Sequence, residues 1–204
     1  LELLSRQAAS EGAGVICWAE AFAYLGRHDG KQEILESLPE GGPILSRCQA
    51  LATSLNCEIL LGGFHEASSK DSPSKQAPSK DAEPADSDRC YNTSVYLDRT
   101  GAIKAMYRKI HLFDVNIKDG PSLQESRQTA PGDTAIVTDT LFGRLGLTVC
   151  YDVRFPALYQ RLVDLGATAM SVPSAFTATT GAMHWHPLLR ARAIETQSYI
   201  IAPA

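Results

Sequence analysis

A cysteine that could act as a nucleophile lies in the stretch Leu145-Gly-Leu-Thr-Val-Cys150-Tyr-Asp-Val-Arg-Phe-Pro156. Residues 145–149 form an apolar run that predicts a buried strand, and Pro156 can open a helix at its first position. A thiol placed where a strand gives way to a helix lies near backbone N–H groups and the helix N-terminus. We therefore expect a lowered pKa for Cys150 and a reactive thiolate. The alternative is a small buried cysteine that only ends a core strand.

A cysteine that cleaves a C–N bond needs a base, an acid for the leaving nitrogen and a partner for the oxyanion. Glu20 follows the apolar residues 14–18, where desolvation would raise the pKa of its carboxyl group and suit a general base. Lys109 lies among apolar residues and either reaches solvent or points into a site as a fixed cation. Glu125 lies in the same loop as Lys109. Residue type alone does not single these three out from other charged side chains.

Histidine is the usual partner of a catalytic cysteine, and the candidate histidine bases are His65, His111, His184 and His186. The His-Trp-His spacing of the last two places their rings on different faces of a helix, which argues against a metal pair. For each histidine we favour a structural or substrate-contacting role, because most histidines in folded proteins are simply hydrogen-bonded.

Hydrophobic periodicity predicts the elements that must position these residues. Helices are expected at residues 1–11, 43–54, 156–165 and 182–197. Strands are expected at residues 14–18, 58–64, 92–97, 102–107, 135–139, 145–149, 168–173 and 199–202. The turn Asp98-Arg-Thr-Gly101 between two alternating runs indicates a hairpin. This alternation of helices and strands predicts a mixed α/β fold with central strands between layers.

Three segments lack such periodicity. Residues 27–42 are loop-like, and residues 107–133 form a long irregular segment rich in charge, which is typical of functional loops. Residues 67–88 consist almost entirely of Ser, Lys, Asp, Pro, Ala and Glu, and such a composition cannot bury enough apolar surface to order itself. We interpret residues 67–88 as a disordered surface insertion within a single domain that spans residues 1–204.

Composition excludes several classes of protein. The chain has 204 residues, 44% hydrophobic and 21% charged, with a net charge of -4, which is ordinary for a globular protein with one sizeable core. The mild acidity argues against a nucleic-acid partner, and no apolar run is long enough to span a membrane. The start of the chain has no signal-peptide pattern. Five scattered cysteines without a CxxC pair argue against a disulfide framework or a zinc site and favour a reducing cytoplasm.

Three separated motifs then appear in order along the chain: Trp18-Ala-Glu20-Ala-Phe22, Tyr107-Arg-Lys109-Ile-His-Leu-Phe113 and Cys150-Tyr-Asp-Val-Arg-Phe-Pro156. Together they resemble the Glu, Lys and Cys signatures of the nitrilase superfamily of carbon–nitrogen hydrolases. Four further stretches extend the resemblance to nearly the whole chain except residues 67–88: Gly62-Gly-Phe-His-Glu66, Pro173-Ser-Ala-Phe176, Gly181-Ala-Met-His-Trp185 and Arg190-Ala-Arg-Ala-Ile-Glu-Thr-Gln197. Within the superfamily, these residues are most similar to the Nit branch.

The resemblance implies an α-β-β-α sandwich that pairs into a four-layer homodimer or a higher homo-oligomer. It implies amide hydrolysis through a thioester, without a metal or an organic cofactor. By the motifs, Cys150 is the nucleophile, Glu20 the general base and Lys109 the cation that faces the tetrahedral intermediate. Glu125, in Leu123-Gln-Glu-Ser126, matches a second glutamate that positions substrate or assists the base.

The expected substrate is a small carboxylate-bearing amide, deaminated glutathione first and 2-oxoglutaramate second. Arg154 could pair a substrate carboxylate in bidentate fashion, or it could brace Asp152 within the fold. Tyr151, Phe176 and His184 are the other expected substrate-binding residues. A different class stays open, in which the protein is a catalytically weak Nit-like binding scaffold.

The sequence departs from the pattern of the superfamily in three places. The usual Leu-Pro-Glu is Trp18-Ala-Glu20 here, and the Glu that often follows Arg-Phe-Pro is Ala157. The first strand and the last strands that the superfamily carries are not found in this chain. We therefore expect a partial domain with an exposed sheet edge.

Overall fold

The structure, a computed structural model, describes residues 1–26, 28–68, 89–116 and 122–204. The helices are α1 (Glu2–Ser10), α2 (His28–Gln32), α3 (Pro43–Leu55), α4 (Pro156–Asp164) and α5 (Ala178–Thr196). The strands are β1 (Val15–Cys17), β2 (Glu58–Glu66), β3 (Tyr91–Leu97), β4 (Ile103–Arg108), β5 (Asp114–Asn116), β6 (Ser122–Gln124), β7 (Val137–Thr140), β8 (Gly143–Leu147), β9 (Ala169–Ser171) and β10 (Tyr199–Ile201). Of the predicted insertion, residues 69–88 lie outside the described residues, so their disorder stays a prediction.

Two four-stranded sheets form the centre of the fold. The first has the order β1-β2-β3-β4, with β1 parallel to β2 and the other neighbours antiparallel. The second has the order β7-β8-β9-β10, with β7 antiparallel to β8 and the remaining pairs parallel. β5 and β6 form a separate antiparallel pair.

Alternation along β2 divides its side chains between two layers. Ile59 and Leu61 pack with Leu45 and Leu51 of α3, whereas Leu60 packs with Leu145 of the other sheet. Because successive side chains in a strand point to opposite faces, one strand can serve both a helix layer and a sheet–sheet layer. The nine residues of β2 are all buried, as expected for a strand covered on both faces.

The second sheet repeats this arrangement with α4 as its cover. Leu158, Tyr159 and Leu162 of α4 belong to the same buried cluster as Leu145 and Leu147 of β8. Helix, sheet, sheet and helix therefore stack in the predicted α-β-β-α order.

Two glycines in β2 allow the sheets to approach closely near one end. Pairing of β2 with β3 shifts register between Leu61 and Phe64, and the glycines occupy this irregularity. A Cβ atom on Gly62 would clash with the Trp18 carbonyl oxygen and with Pro173, and one on Gly63 would crowd the Ala21 amide nitrogen. Only glycine fits where two backbones come this close.

Most predicted elements are confirmed, with boundaries shifted by a few residues. Two predictions were wrong in kind: residues 27–42 contain the short helix α2, and residues 107–133 contain the β5–β6 pair and a 3-10 turn at Glu125–Arg127. α5 begins at Ala178, earlier than the predicted start at residue 182, and it continues through Pro187. Asp98 Oδ1 accepts bonds from the Thr100 and Ala102 amides and closes the predicted hairpin turn.

Within the described residues, no helix is both long and apolar enough to cross a membrane.

Candidate active site

The candidate catalytic residues follow strands from both sheets at one end of the sandwich. Glu20 comes after β1, Lys109 directly after β4, and Cys150 shortly after β8. The register pairs Thr93 with Arg108, which places Lys109 beside Asn92, and the Lys109 amide donates to the Asn92 carbonyl oxygen at 2.8 Å. Residues that are far apart in sequence therefore meet at this end of the sheets.

Cys150 lies in a strained turn. Its φ angle is 46°, in the left-handed region that few residues other than glycine adopt. The Cys150 amide donates to the Pro173 carbonyl oxygen at 2.9 Å, and a 3-10 turn over Cys150–Arg154 follows immediately. The turn aims the thiol away from the strand, towards the end of the sandwich where Glu20 lies.

One buried ammonium group holds two carboxylates together. Lys109 Nζ lies 3.0 Å from Glu20 Oε1 and 2.9 Å from Glu125 Oε2, and the Lys109 side chain is only 2% exposed. Glu125 Oε2 also accepts the Phe113 amide at 2.7 Å. With two carboxylates facing one ammonium, the cluster is formally negative.

Asn92, at the start of β3, joins the two carboxylates from the other side. Its Nδ2 donates to Glu20 Oε1 at 2.9 Å and lies 3.3 Å from Glu125 Oε1. The second Glu20 oxygen, Oε2, accepts the Ala175 amide at 3.0 Å. The Glu20 carboxylate is thus fixed in orientation by donors from both sheets.

The expectation that Glu20 would have a raised pKa was wrong. Burial alone would raise the pKa, but Lys109 and the hydrogen bonds from Cys150, Lys109 and Asn92 hold the pKa of Glu20 below its ordinary value. Burial alone would lower the pKa of Lys109, but Glu20 and Glu125 hold it above the ordinary lysine value. Glu20 is therefore a carboxylate, and Lys109 is an ammonium.

The expectation of a lowered thiol pKa was wrong as well. Burial raises the pKa of Cys150, and the neighbouring Glu20 carboxylate raises it further, while Lys109 only partly opposes them. The thiol and the Glu20 carboxylate lie beside each other in the lining of one cavity. A second negative charge beside Glu20 would be costly, so the resting cysteine keeps its proton, next to a carboxylate that can accept it.

Asp152 stabilises the turn at Cys150 through buried hydrogen bonds. This fully buried carboxylate accepts bonds from the Tyr107 hydroxyl at 2.8 Å, the Val149 amide at 2.9 Å and the His111 amide at 3.0 Å. His111 also donates from Nδ1 to Asp152 at 2.8 Å, and its ring stacks on Phe155. His111 therefore braces the Cys150 turn.

A cavity of about 480 Å³ opens above the thiol. Its lining includes Glu20, Lys109, Glu125 and Cys150, together with three of the four expected substrate-binding residues, Tyr151, Arg154 and Phe176. The fourth, His184, is not among the lining residues but accepts bonds at Nδ1 from the Arg154 guanidinium at 3.3 Å.

Arg154 does not brace Asp152. Its guanidinium lies 5.6 Å from the Tyr151 and Phe176 ring centroids, and in the parts of the chain that the structure describes it forms no ion pair with a carboxylate. Its charge therefore stays free to meet a ligand.

His65 lines another part of the cavity and donates from Nε2 to the Tyr24 carbonyl oxygen at 3.1 Å. Burial holds the pKa of His65 below its ordinary value. Among the described residues, no group of His, Cys, Asp and Glu side chains is arranged to hold a metal ion.

Sequence reasoning missed Asn92, the Ala175 amide and Lys31, which also lies on the cavity wall. Nothing in the local sequence points to Asn92 or Ala175, because their roles arise from strand register and from the contact between sheets. Lys31 is a single cation in a segment interpreted as a loop, so its position was not predictable.

The chain is similar to known proteins over nearly its whole length. The sequence profile of the carbon-nitrogen hydrolase family matches residues 1–204. Deaminated glutathione amidase of Dictyostelium discoideum is 40% identical over 202 residues, which cover 97% of this chain and 65% of the relative. The human deaminated glutathione amidase is 41% identical over 202 residues, which cover 98% of this chain and 58% of the relative. The chain thus spans 58% to 65% of the length of these curated relatives.

Solved structures share the fold over the full length of the chain. The Caenorhabditis elegans (C. elegans) NitFhit protein matches with a TM-score of 0.83 and 34% identity, covering 100% of this chain and 46% of that one. Saccharomyces cerevisiae Nit3, a member of branch 10 of the nitrilase superfamily, matches with a TM-score of 0.80 and 28% identity, covering 100% of this chain and 68% of that one. These matches confirm the predicted nitrilase-type fold.

Proposed function

The chain belongs to the carbon-nitrogen hydrolase family, and on that premise we propose that it hydrolyses the amide bond of a small carboxylate-bearing substrate through a cysteine thioester. The observation that carries the proposal is the placement of the Cys150 thiol beside the Glu20 carboxylate, whose oxygens accept hydrogen bonds from Lys109, Asn92 and the Ala175 amide. A nucleophile, a base and a fixed cation therefore converge in one cavity.

In the first half of the reaction, Glu20 takes the thiol proton as Cys150 Sγ attacks the carbonyl carbon of the amide. Lys109 is the cation available to the oxygen that becomes negative in the tetrahedral intermediate. Protonated Glu20 then gives its proton to the leaving nitrogen, the C–N bond breaks, and a thioester and a free amine or ammonia remain.

In the second half, Glu20 removes a proton from water, and the hydroxide attacks the thioester carbonyl carbon. Collapse of this intermediate breaks the C–S bond, and the thiolate recovers its proton from Glu20. Glu125 stays beside Lys109 throughout and holds the ammonium in place. Each half-reaction returns Glu20 to the carboxylate state that its surroundings favour.

We propose deaminated glutathione as the substrate, with 2-oxoglutaramate second. Relatives that share 40% and 41% identity with the chain carry the name deaminated glutathione amidase. Arg154, free of a carboxylate partner in the described ranges, offers a binding site for a substrate carboxylate beside the Tyr151 and Phe176 rings.

Product release from a panel of amides tests the proposal. We expect kcat/KM to be highest for deaminated glutathione, lower for 2-oxoglutaramate, and poor for N-carbamoyl-β-alanine and N-carbamoylputrescine. Cys150→Ala is the matched control and should abolish turnover with an unchanged Tm. A preference for a carbamoyl compound refutes the substrate, and wild-type turnover in Cys150→Ala refutes the mechanism. A protein that hydrolyses none of the four supports the binding scaffold instead.

We also propose that the protein forms a homodimer through α5 and works in a reducing cytoplasm. Met183 and Ile194 of α5 are 59% and 76% exposed, and Tyr199 is 81% exposed, so these side chains could be covered by a partner subunit. All five cysteines are free. Light scattering of the purified protein measures the oligomeric state, and a monomer at micromolar concentration would contradict the dimer.

A further inference from the structure

Lys31 presents a second ammonium group to the cavity, apart from the one buried at Lys109. It lies in the last turn of α2 and is half-buried. Its Nζ contacts Thr129 Oγ1 at 3.4 Å, and Thr129 is itself 1% exposed. A buried hydroxyl therefore holds the lysine side chain against the cavity wall.

The charge of Lys31 is not neutralised by the protein in the way that the charge of Lys109 is. Lys109 contacts two carboxylates, whereas the contact of Lys31 is a neutral hydroxyl, and with the side chains of residues 1–26, 30–68, 89–115 and 123–204 it forms no ion pair. A half-buried ammonium with a weak neutral partner gains more from a ligand carboxylate than a fully solvated one does, because screening by water is reduced.

Among the described residues of the cavity lining, Lys31 and Arg154 lie against different neighbours. Lys31 is attached to Thr129, whose amide donates to the Glu125 carbonyl oxygen at 2.9 Å. Arg154 lies against Tyr151 and Phe176. Both residues line the same cavity of about 480 Å³ as Cys150, a volume typical of sites for small organic ligands.

We propose that Lys31 binds a second substrate carboxylate, different from the one held by Arg154, so that the cavity selects amides with a carboxylate at each end. The inference rests on the proposed function. Deaminated glutathione fits this class, because it carries one carboxylate on its keto-acid end and one on its glycine end. 2-Oxoglutaramate carries only the first, which accounts for its second rank in the proposed substrate order.

The test compares deaminated glutathione with its analogue in which the glycine carboxylate is a carboxamide. The measured quantity is the ratio of kcat/KM for the acid to kcat/KM for the carboxamide. Lys31→Met should lower this ratio about tenfold to a hundredfold, mainly through KM for the acid, because a charged hydrogen-bonded contact is lost. Lys31→Arg should restore most of the ratio.

Lys104→Met is the matched control, since it removes one positive charge from a side chain that is 38% exposed and outside the cavity lining. Its ratio should equal that of the wild type. An unchanged ratio in Lys31→Met, or an equal fall in Lys104→Met, overturns the proposal.

A second measurement separates this proposal from the proposed amidase function. N-glutarylglycine and N-glutarylglycinamide differ only in the terminal carboxylate, and each is tested for protection of Cys150 against iodoacetamide. If the acid protects better than the carboxamide in the wild type but not in Lys31→Met, Lys31 binds the terminal carboxylate, even if no amide is turned over. If deaminated glutathione is turned over but the acid gives no selective protection, the proposed amidase function is supported and carboxylate binding by Lys31 is overturned. If neither turnover nor selective protection is observed, the amidase function and the role of Lys31 are both overturned.

Discussion

Asp152 and Glu20 are both buried carboxylates close to Cys150, yet the structure uses them differently. Asp152 is 0% exposed and accepts bonds from two backbone amides, a tyrosine hydroxyl and a histidine ring. Glu20 also accepts bonds from Asn92, Lys109 and the Ala175 amide, but it lies beside the Cys150 thiol and lines the cavity. A buried carboxylate can take part in proton transfer only where one of its hydrogen bonds carries a transferable proton that substrate can reach.

The comparison predicts that replacing Glu20 affects chemistry far more than stability. Glu20→Gln should lower kcat about a hundredfold to ten-thousandfold, because it removes the proposed general acid–base group. Alkylation of Cys150 by iodoacetamide at pH 7.5 should become faster in the same variant, because the carboxylate that raises the thiol pKa is gone while Lys109 remains.

These opposite changes are measured by initial rates and by mass spectrometry of the alkylated protein. In the wild type, the alkylation rate should keep rising with pH without levelling near the ordinary thiol pKa of about 8.5. A plateau near that pH, or slower alkylation in Glu20→Gln, would show that Glu20 does not hold the thiol protonated.

Replacing Asp152 should instead destabilise the fold. Asp152→Asn turns an amide N–H group towards at least one of the backbone donors that the carboxylate now satisfies, and it leaves that donor unpaired. We expect the free energy of unfolding to fall by about 3 kcal/mol. This loss corresponds to roughly 6–12 °C in Tm for a chain of this size.

Thermal and urea unfolding measure this change, with Asp139→Asn as the control. Asp139 is 78% exposed and pairs with Arg144 at 3.5 Å, so its variant should differ from the wild type by at most about 0.5 kcal/mol. Equal stabilities for the Asp152 and Asp139 variants would remove the distinction between a structural and a catalytic carboxylate.

The smallest expected effect is at Asn92, which lines the cavity and donates a hydrogen bond to Glu20. Asn92→Ala should lower kcat about tenfold with KM little changed, because one hydrogen bond that orients the base is lost. Asn92→Asp should be worse than Ala, since it adds a third carboxylate beside Glu20 and Glu125. Aspartate has the same shape as asparagine. If kcat falls less in Asn92→Asp than in Asn92→Ala, Asn92 acts only by filling space.

Sequence alone predicts the parts of the fold that depend on local periodicity. The β3–β4 hairpin follows from alternation and from the Asp98 turn, and α4 follows from Pro156 and its amphipathic pattern. The candidate catalytic residues Glu20, Lys109 and Cys150 were identified because their motifs occur in a recognisable order.

The pKa values could not be predicted from local sequence. The pKa of Cys150 was expected to fall because of the helix that follows it, but burial and a carboxylate from the other sheet raise it. The pKa of Glu20 was expected to rise through burial, but the Lys109 ammonium outweighs burial. Asn92 was missed for a related reason, because only the antiparallel register places it beside Lys109.

The close approach at Gly62 has a consequence for folding. The Ala175 amide and the Glu20 carboxylate bond across the two sheets although they are separated by 155 positions in the chain. Closing so large a loop is entropically costly and occurs only when both sheets have packed against each other. A chain emerging from the ribosome therefore carries Glu20 and Lys109 long before it has the Cys150 turn and the Ala175 amide. Under the proposed function, hydrolytic activity should therefore appear only late in folding, after the two sheets have packed together.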